Sequence, residues 1–64
     1  MTNVQKCIEF AREVRVWQAA IDGEGETPAR LAKLRLARAN LKITFAKLSA
    51  REAWVVRQQL GAQS

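Results

Sequence analysis

The stretch Asp22-Gly-Glu-Gly-Glu-Thr-Pro28 decides the fold. It carries two glycines and no apolar residue, and it is the one loop-like segment of the chain. Thr27-Pro28 predicts a helix start. Threonine is a good N-cap, and proline suits the first helical position, whose N–H would have no intrahelical partner anyway. Glu24 and Glu26 then lie near the positive end of the new helix dipole. A connection this short folds the second helix back antiparallel to the first. The expected fold is all-α: an antiparallel helical hairpin, with helices at about 3–21 and 28–48, forming a single domain over residues 1–64.

Upstream of the loop, Thr2-Asn-Val-Gln5 reads as a capping box, with Thr2 as N-cap and Gln5 reaching back. Val4, Cys7, Ile8, Ala11, Val14, Gln18 and Ile21 recur at helical spacing. Phe10 and Trp17 widen that stripe on one flank. Lys6, Glu9, Arg12 and Glu13 make a solvent face on the opposite side, and Val16 is its apolar exception. Arg15 and Gln18 fall inside the apolar arc, where they either snorkel or mark the edge of an interface.

Downstream, the second helix carries two apolar stripes. At 100° per residue, Leu34, Leu41, Phe45 and Leu48 share one side. Leu36, Ala39, Ile43, Ala46, Ala50 and Trp54 fall nearly opposite. Arg35, Arg38 and Lys42 fill one gap between the stripes. Arg30, Lys33, Asn40, Thr44, Lys47 and Arg51 largely fill the other. The first helix covers one stripe only, so something else must cover the second. A second copy of the chain is the simplest cover, and the Ala-rich stripe would let helices approach closely. Leu34, Leu36, Leu41, Ile43, Phe45, Leu48 and Trp17 are therefore the expected core or dimer residues.

Leu48-Ser-Ala-Arg-Glu-Ala53 admits two readings. Ser49 and Glu52 match a second capping box, which would begin a separate helix near Ala50. Against this, no Gly, Asn or Pro marks a turn, and the apolar repeat runs on through Ala46, Ala50 and Ala53. A continuous helix from Pro28 to Leu60 would span roughly 50 Å and overhang a first helix of roughly 30 Å. The break is the expected outcome, giving a C-terminal helical segment at about 50–60 that ends at Gly61. Gly61-Ala-Gln-Ser64 should fray.

Size and composition limit the functions open to such a chain. Sixty-four residues support one small core, worth only about 3–5 kcal/mol. Cys7 is the single cysteine and histidine is absent, so an intramolecular disulfide and a structural zinc site are excluded. Regular helix packing and self-association remain, and a two-fold homodimer that closes into a helical bundle is expected. Nothing approaches the ~18 apolar residues of a membrane span, and the N-terminus is polar, unlike a signal peptide. A lone free thiol fits a reducing compartment, so the expected location is the cytoplasm.

Without histidine, Ser-His and Cys-His nucleophile pairs cannot form. Cys7 sits on an apolar stripe and reads as a small buried hydrophobe. The acidic loop lacks the ~12-residue ligand spacing of an EF-hand, and Gly23-Glu-Gly25 has no preceding strand to make a dinucleotide fingerprint. The expectation is a non-enzyme with no metal, no cofactor and no small-molecule substrate.

Charge is where the sequence points outward. The chain carries a formal net charge of +5. From Thr27 to Arg51 there are seven Lys or Arg and no acid. Such polarity favours an acidic partner, either protein or nucleic acid. Arg35, Arg38 and Lys42 form a compact row suited to phosphates, yet only Asn40, Gln58 and Gln59 offer side chains that read base edges. Trp and Arg are enriched at the centres of protein interfaces. The expected partner-binding set is thus Arg35, Arg38, Lys42, Trp54 and Val55, facing an acidic-surfaced protein. Nucleic acid is the alternative, and membrane-surface binding fits the two opposed stripes least well.

The Thr2-capped first helix, the Gly23-Glu-Gly-Glu-Thr-Pro28 hairpin and the basic second helix ending in Leu48-Ser-Ala-Arg-Glu52 resemble small phage-encoded host-takeover proteins. Among these are helical anti-activators that bind bacterial transcription regulators and block quorum sensing. The resemblance implies a dimeric inhibitor of a host transcription regulator, acting without catalysis in the host cytoplasm.

Overall fold

A computed structural model describes residues 2–62. It is all-helical: α1 (Asn3–Glu24), α2 (Pro28–Ala46) and α3 (Ala50–Ala62), with no strand among the described residues. Each helix begins where a local signal puts it. The Thr2 hydroxyl accepts from the Gln5 N–H at 3.2 Å, and the Thr2 N–H donates to Gln5 Oε1 at 3.0 Å. Thr27 Oγ1 accepts from the Arg30 N–H at 3.2 Å, with Pro28 opening the first turn. Ser49 and Glu52 form the second reciprocal box, at 3.0 and 3.2 Å. These bonds satisfy N–H groups that a helix start leaves without partners.

α1 runs three residues beyond the expected end at Ile21 and takes in Asp22-Gly23-Glu24. Two bonds hold that extra turn. Gln18 donates to Asp22 Oδ1 one turn below, at 3.1 Å, and the Gly25 N–H closes on the Ile21 carbonyl at 2.9 Å. The loop shrinks to Gly25-Glu26-Thr27. Arg30 braces it by donating to the Gly25 carbonyl at 2.9 Å and to Glu24 Oε2 at 2.8 Å.

The two loop glycines differ in kind. Gly25 lies at φ 101° and ψ 159°, a conformation that is essentially glycine-only. Gly23 is helical, and a methyl group there would meet nothing within 4 Å. Gly25→Ala is therefore expected to cost about 1–3 kcal/mol. Gly23→Ala should gain up to about 1 kcal/mol. Thermal melts of the two variants should move in opposite directions.

α2 stops at Ala46, not at Leu48. Its last turn tightens into Lys47 N–H to Thr44 and Leu48 N–H to Phe45 carbonyl bonds, at 3.0 and 3.1 Å. The chain then breaks and restarts at Ser49, so the apolar repeat does not continue through Ala50 in one helix. α3 passes straight through Gly61 to Ala62. Gly25 is the only glycine with positive φ among the described residues, so Gly61 does not take up a glycine-specific cap. The fraying expected for Gln63 and Ser64 lies outside the described residues.

α1 packs along α2, and α3 packs on α1. Two contacts give the direction of α3. Glu52 lies close enough to Cys7 to act on its charge, and Arg15 donates to the Leu60 carbonyl at 3.2 Å. Both α3 residues therefore advance along α1 together, so α3 runs parallel to α1 and the three helices go up, down and up. Arg57 of α3 also sits over the Phe45 ring of α2, 5.5 Å from its centroid, a cation–π contact across the break. The buried apolar set is small: Cys7, Ala11, Leu34, Ala37 and Val56. Thr44, read from sequence as part of a polar gap, is buried with them. Val56, which the sequence reading left out of the core, is fully buried.

Candidate interaction surface

The two stripes of α2 have different fates. Leu34 and Ala37 are buried, while Leu31, Leu41, Phe45 and Leu48 are half-buried on the same side. The opposite side stays in solvent. Leu36 and Ile43 are each 58% exposed, and Ala32, Ala39 and Ala46 on that side are exposed as well. Volume accounts for the choice. The Leu- and Phe-bearing side removes far more apolar area from water against α1 than the alanine side would.

The exposed stripe has a basic border on each side. On a 100° helical wheel, Arg35 and Lys42 flank it on one edge. Lys33, Asn40 and Lys47 flank it on the other. All four cations are exposed, and among the described residues none makes an ion pair or side-chain hydrogen bond. The remaining cations of α2 are engaged elsewhere. Arg30 braces the loop, and Arg38 donates to Gln18 Oε1 of α1 at 3.1 Å. The compact row read from sequence as Arg35, Arg38 and Lys42 thus divides. Arg38 leans toward the α1 seam, and the other two border the stripe. The same bond explains Gln18 inside the apolar arc of α1, and the bond from Arg15 to Leu60 explains Arg15: both tie helices together.

The other anticipated contact residues are spread over the fold. Trp54 is 60% exposed on the outer side of α3, opposite Val56. Val55 and Trp17 are half-buried. The break at 47–49 takes Trp54 and Ala50 out of the α2 register, so they do not prolong the stripe along one helix. Val16 is 57% exposed on α1. Cys7 is fully buried, and burial first, then the Glu52 carboxylate, raises its thiol above the ordinary value of 9.0. A buried thiol with a raised pKa is a poor nucleophile. No group of three or more His, Cys, Asp or Glu among the described residues is placed to hold a metal ion. No helix there is long and apolar enough to cross a membrane.

The surface of the chain is larger than its mass requires. Its 4639 Å² compares with roughly 4,100 Å² for a compact monomer of 7.2 kDa. The shape is elongated, 37 × 22 × 17 Å. No protein-family model matches the chain, and no curated protein or solved structure matches it either.

Proposed function

We propose that this protein is a small, non-enzymatic regulator or inhibitor that works by protein–protein contact through the outer face of α2. One observation carries the reading: Leu36 and Ile43 stand in solvent on a stripe bordered on both sides by unpaired cations. Large exposed apolar residues in register along a helix mark contact surfaces, whereas scattered ones do not. The pattern of bulky residues inside a polar border is that of an interface centre and its rim. A homodimer and an acidic-surfaced protein, such as a host transcription regulator, are the two occupants this reading admits. The shortage of base-reading side chains beside the stripe places nucleic acid second.

A paired capture experiment tests the reading. The wild-type chain and a Leu36→Asp/Ile43→Asp variant serve as baits in a lysate of the source cells. Circular dichroism checks that both are helical. A protein held by the wild type and lost by the variant supports the stripe as the working surface. Identical profiles for the two baits would sink it.

A further inference from the structure

We infer that the outer stripe of α2 docks one amphipathic helix of an acidic partner, with bulky apolar residues along its seam and Asp or Glu on both flanks. This rests on the protein-contact reading above and names the occupant. The stripe from Ala32 to Ala46 is about 21 Å long at 1.5 Å per residue, the length of a four-turn helix contact. Along it, large and small side chains alternate: Ala32, Leu36, Ala39, Ile43, Ala46. A partner helix lying in register sets its own large side chains over the alanines and its small ones over Leu36 and Ile43.

A second copy would also satisfy that alternation. In an antiparallel two-fold pair, Leu36 meets the partner copy's alanine at position 46, and Ile43 meets the one at position 39. Apolar burial is therefore common to both occupants, and the rims decide between them. A two-fold axis brings each rim against its own copy. Lys42 then faces Lys42, and Lys33 faces Lys47, with no acid between Thr27 and Arg51 to intervene. Like charges on facing flanks oppose pairing, and opposite charges there select the partner. An acidic helix keeps all of the apolar contact and turns every repulsive rim pair into an attractive one.

Two fluorescein-labelled synthetic helices of about 20 residues test this, long enough to span the stripe. Both carry Leu and Ala on the seam. One has Glu on both flanks, and its twin has Lys. Anisotropy is read against the 64-residue chain and its Ile43→Ser variant, whose helix content and melting are checked first. The Glu peptide is expected to bind, to weaken roughly tenfold between about 50 and 500 mM NaCl as the rims are screened, and to lose roughly tenfold on Ile43→Ser, the worth of one exposed apolar contact. The Lys twin should not bind. Equal binding of the two peptides, or none by the Glu peptide, overturns the inference. Two further outcomes separate its failure from that of the broader reading. Sedimentation as a dimer that Ile43→Ser dissociates makes the second copy the occupant and leaves the protein-contact reading standing. A 20-base-pair duplex that binds wild type and Ile43→Ser alike, with no Glu-peptide binding, removes both.

Discussion

Leu34→Asp unfolds the protein at 25 °C, and Leu36→Asp leaves it folded. The two leucines lie on one helix, two residues apart, yet Leu34 is 3% exposed and Leu36 is 58% exposed. Truncating a buried leucine to alanine costs about 2–5 kcal/mol. A single small core supplies only about 3–5 kcal/mol in total. Removing the Leu34 side chain therefore consumes most of the stability, and setting an unpaired carboxylate in its place adds a desolvation penalty on top. Arg38, the cation that reaches across to α1, is exposed and already donates to Gln18 Oε1. At Leu36 the new carboxylate stays in water among Lys33, Arg35 and Asn40. The remaining cost is the lower helix propensity of aspartate, well under 1 kcal/mol. In a domain of this size 1 kcal/mol moves the melting temperature by about 4–8 °C. Far-UV circular dichroism during a thermal melt separates the two cases. Collapse of both variants would mean that the outer stripe is covered in solution, and sedimentation of the wild type would then show by what. Leu41→Asp, at a half-buried position on the Leu34 side, should fall between the two.

That contrast also shows what local sequence signals could reveal. The three helix starts were legible because each depends on residues three positions apart: Thr2 with Gln5, Thr27 with Arg30 behind Pro28, Ser49 with Glu52. The existence of two stripes on α2 was equally legible, since it follows from 3.6-residue periodicity alone. Periodicity left open which stripe meets α1; in the structure side-chain volume decides it, with Leu34, Leu41, Phe45 and Leu48 set against an alanine-rich side. The path of α3 was not readable at all. Trp54, Val55, Val56 and Leu60 surround its axis, and periodicity does not choose among them. The choice comes from contacts made at a distance in sequence, Arg15 with Leu60 and Arg57 with Phe45. Hence Val56 was missed as a core residue, while the exposed Trp54 on the opposite side of α3 was singled out.

The same geometry sharpens what the basic charge means. Net charge and its bias toward the second half made an acidic partner attractive, but a run of cations along a helix usually amounts to a solvated face. Here Arg30 and Arg38 are occupied within the hairpin, and Lys33, Arg35, Lys42 and Lys47 border an apolar stripe. A charge that rims a hydrophobic contact is a selector of partners, because it acts on the difference between occupants that bury the same area. The row of basic residues thus matters less for its total charge than for what lies between its two edges.

Val56→Asp should release α3 and expose Cys7. Val56 and Cys7 are the two fully buried side chains of any size, one on each of two helices that pack together. Glu52, one turn before Val56, already lies near enough to raise the Cys7 thiol. A carboxylate at Val56 would stand unpaired in that contact and next to Glu52 on the same face, so burial and like charge both oppose it. α3 has 13 residues, about the length at which an isolated helix is marginal in water, so once undocked it melts. The helical signal should fall by the share of α3 while α1 and α2 remain paired through Leu34 and Ala37. Cys7 labelling by a disulfide reagent reports the release directly. In the wild type, an opening free energy of about 3 kcal/mol would slow labelling roughly 100-fold relative to an unfolded chain; in Val56→Asp that protection disappears. Stability against pH gives a second readout. A thiol whose folded pKa is raised adds stability that is complete below its unfolded value of 9.0 and is lost as pH rises through the folded value. The wild type should therefore weaken on the alkaline side of pH 9, and Cys7→Ala should remove that part of the slope. Unchanged labelling in a Val56→Asp protein that keeps its full helical signal would refute the role of Val56 in docking α3 over Cys7.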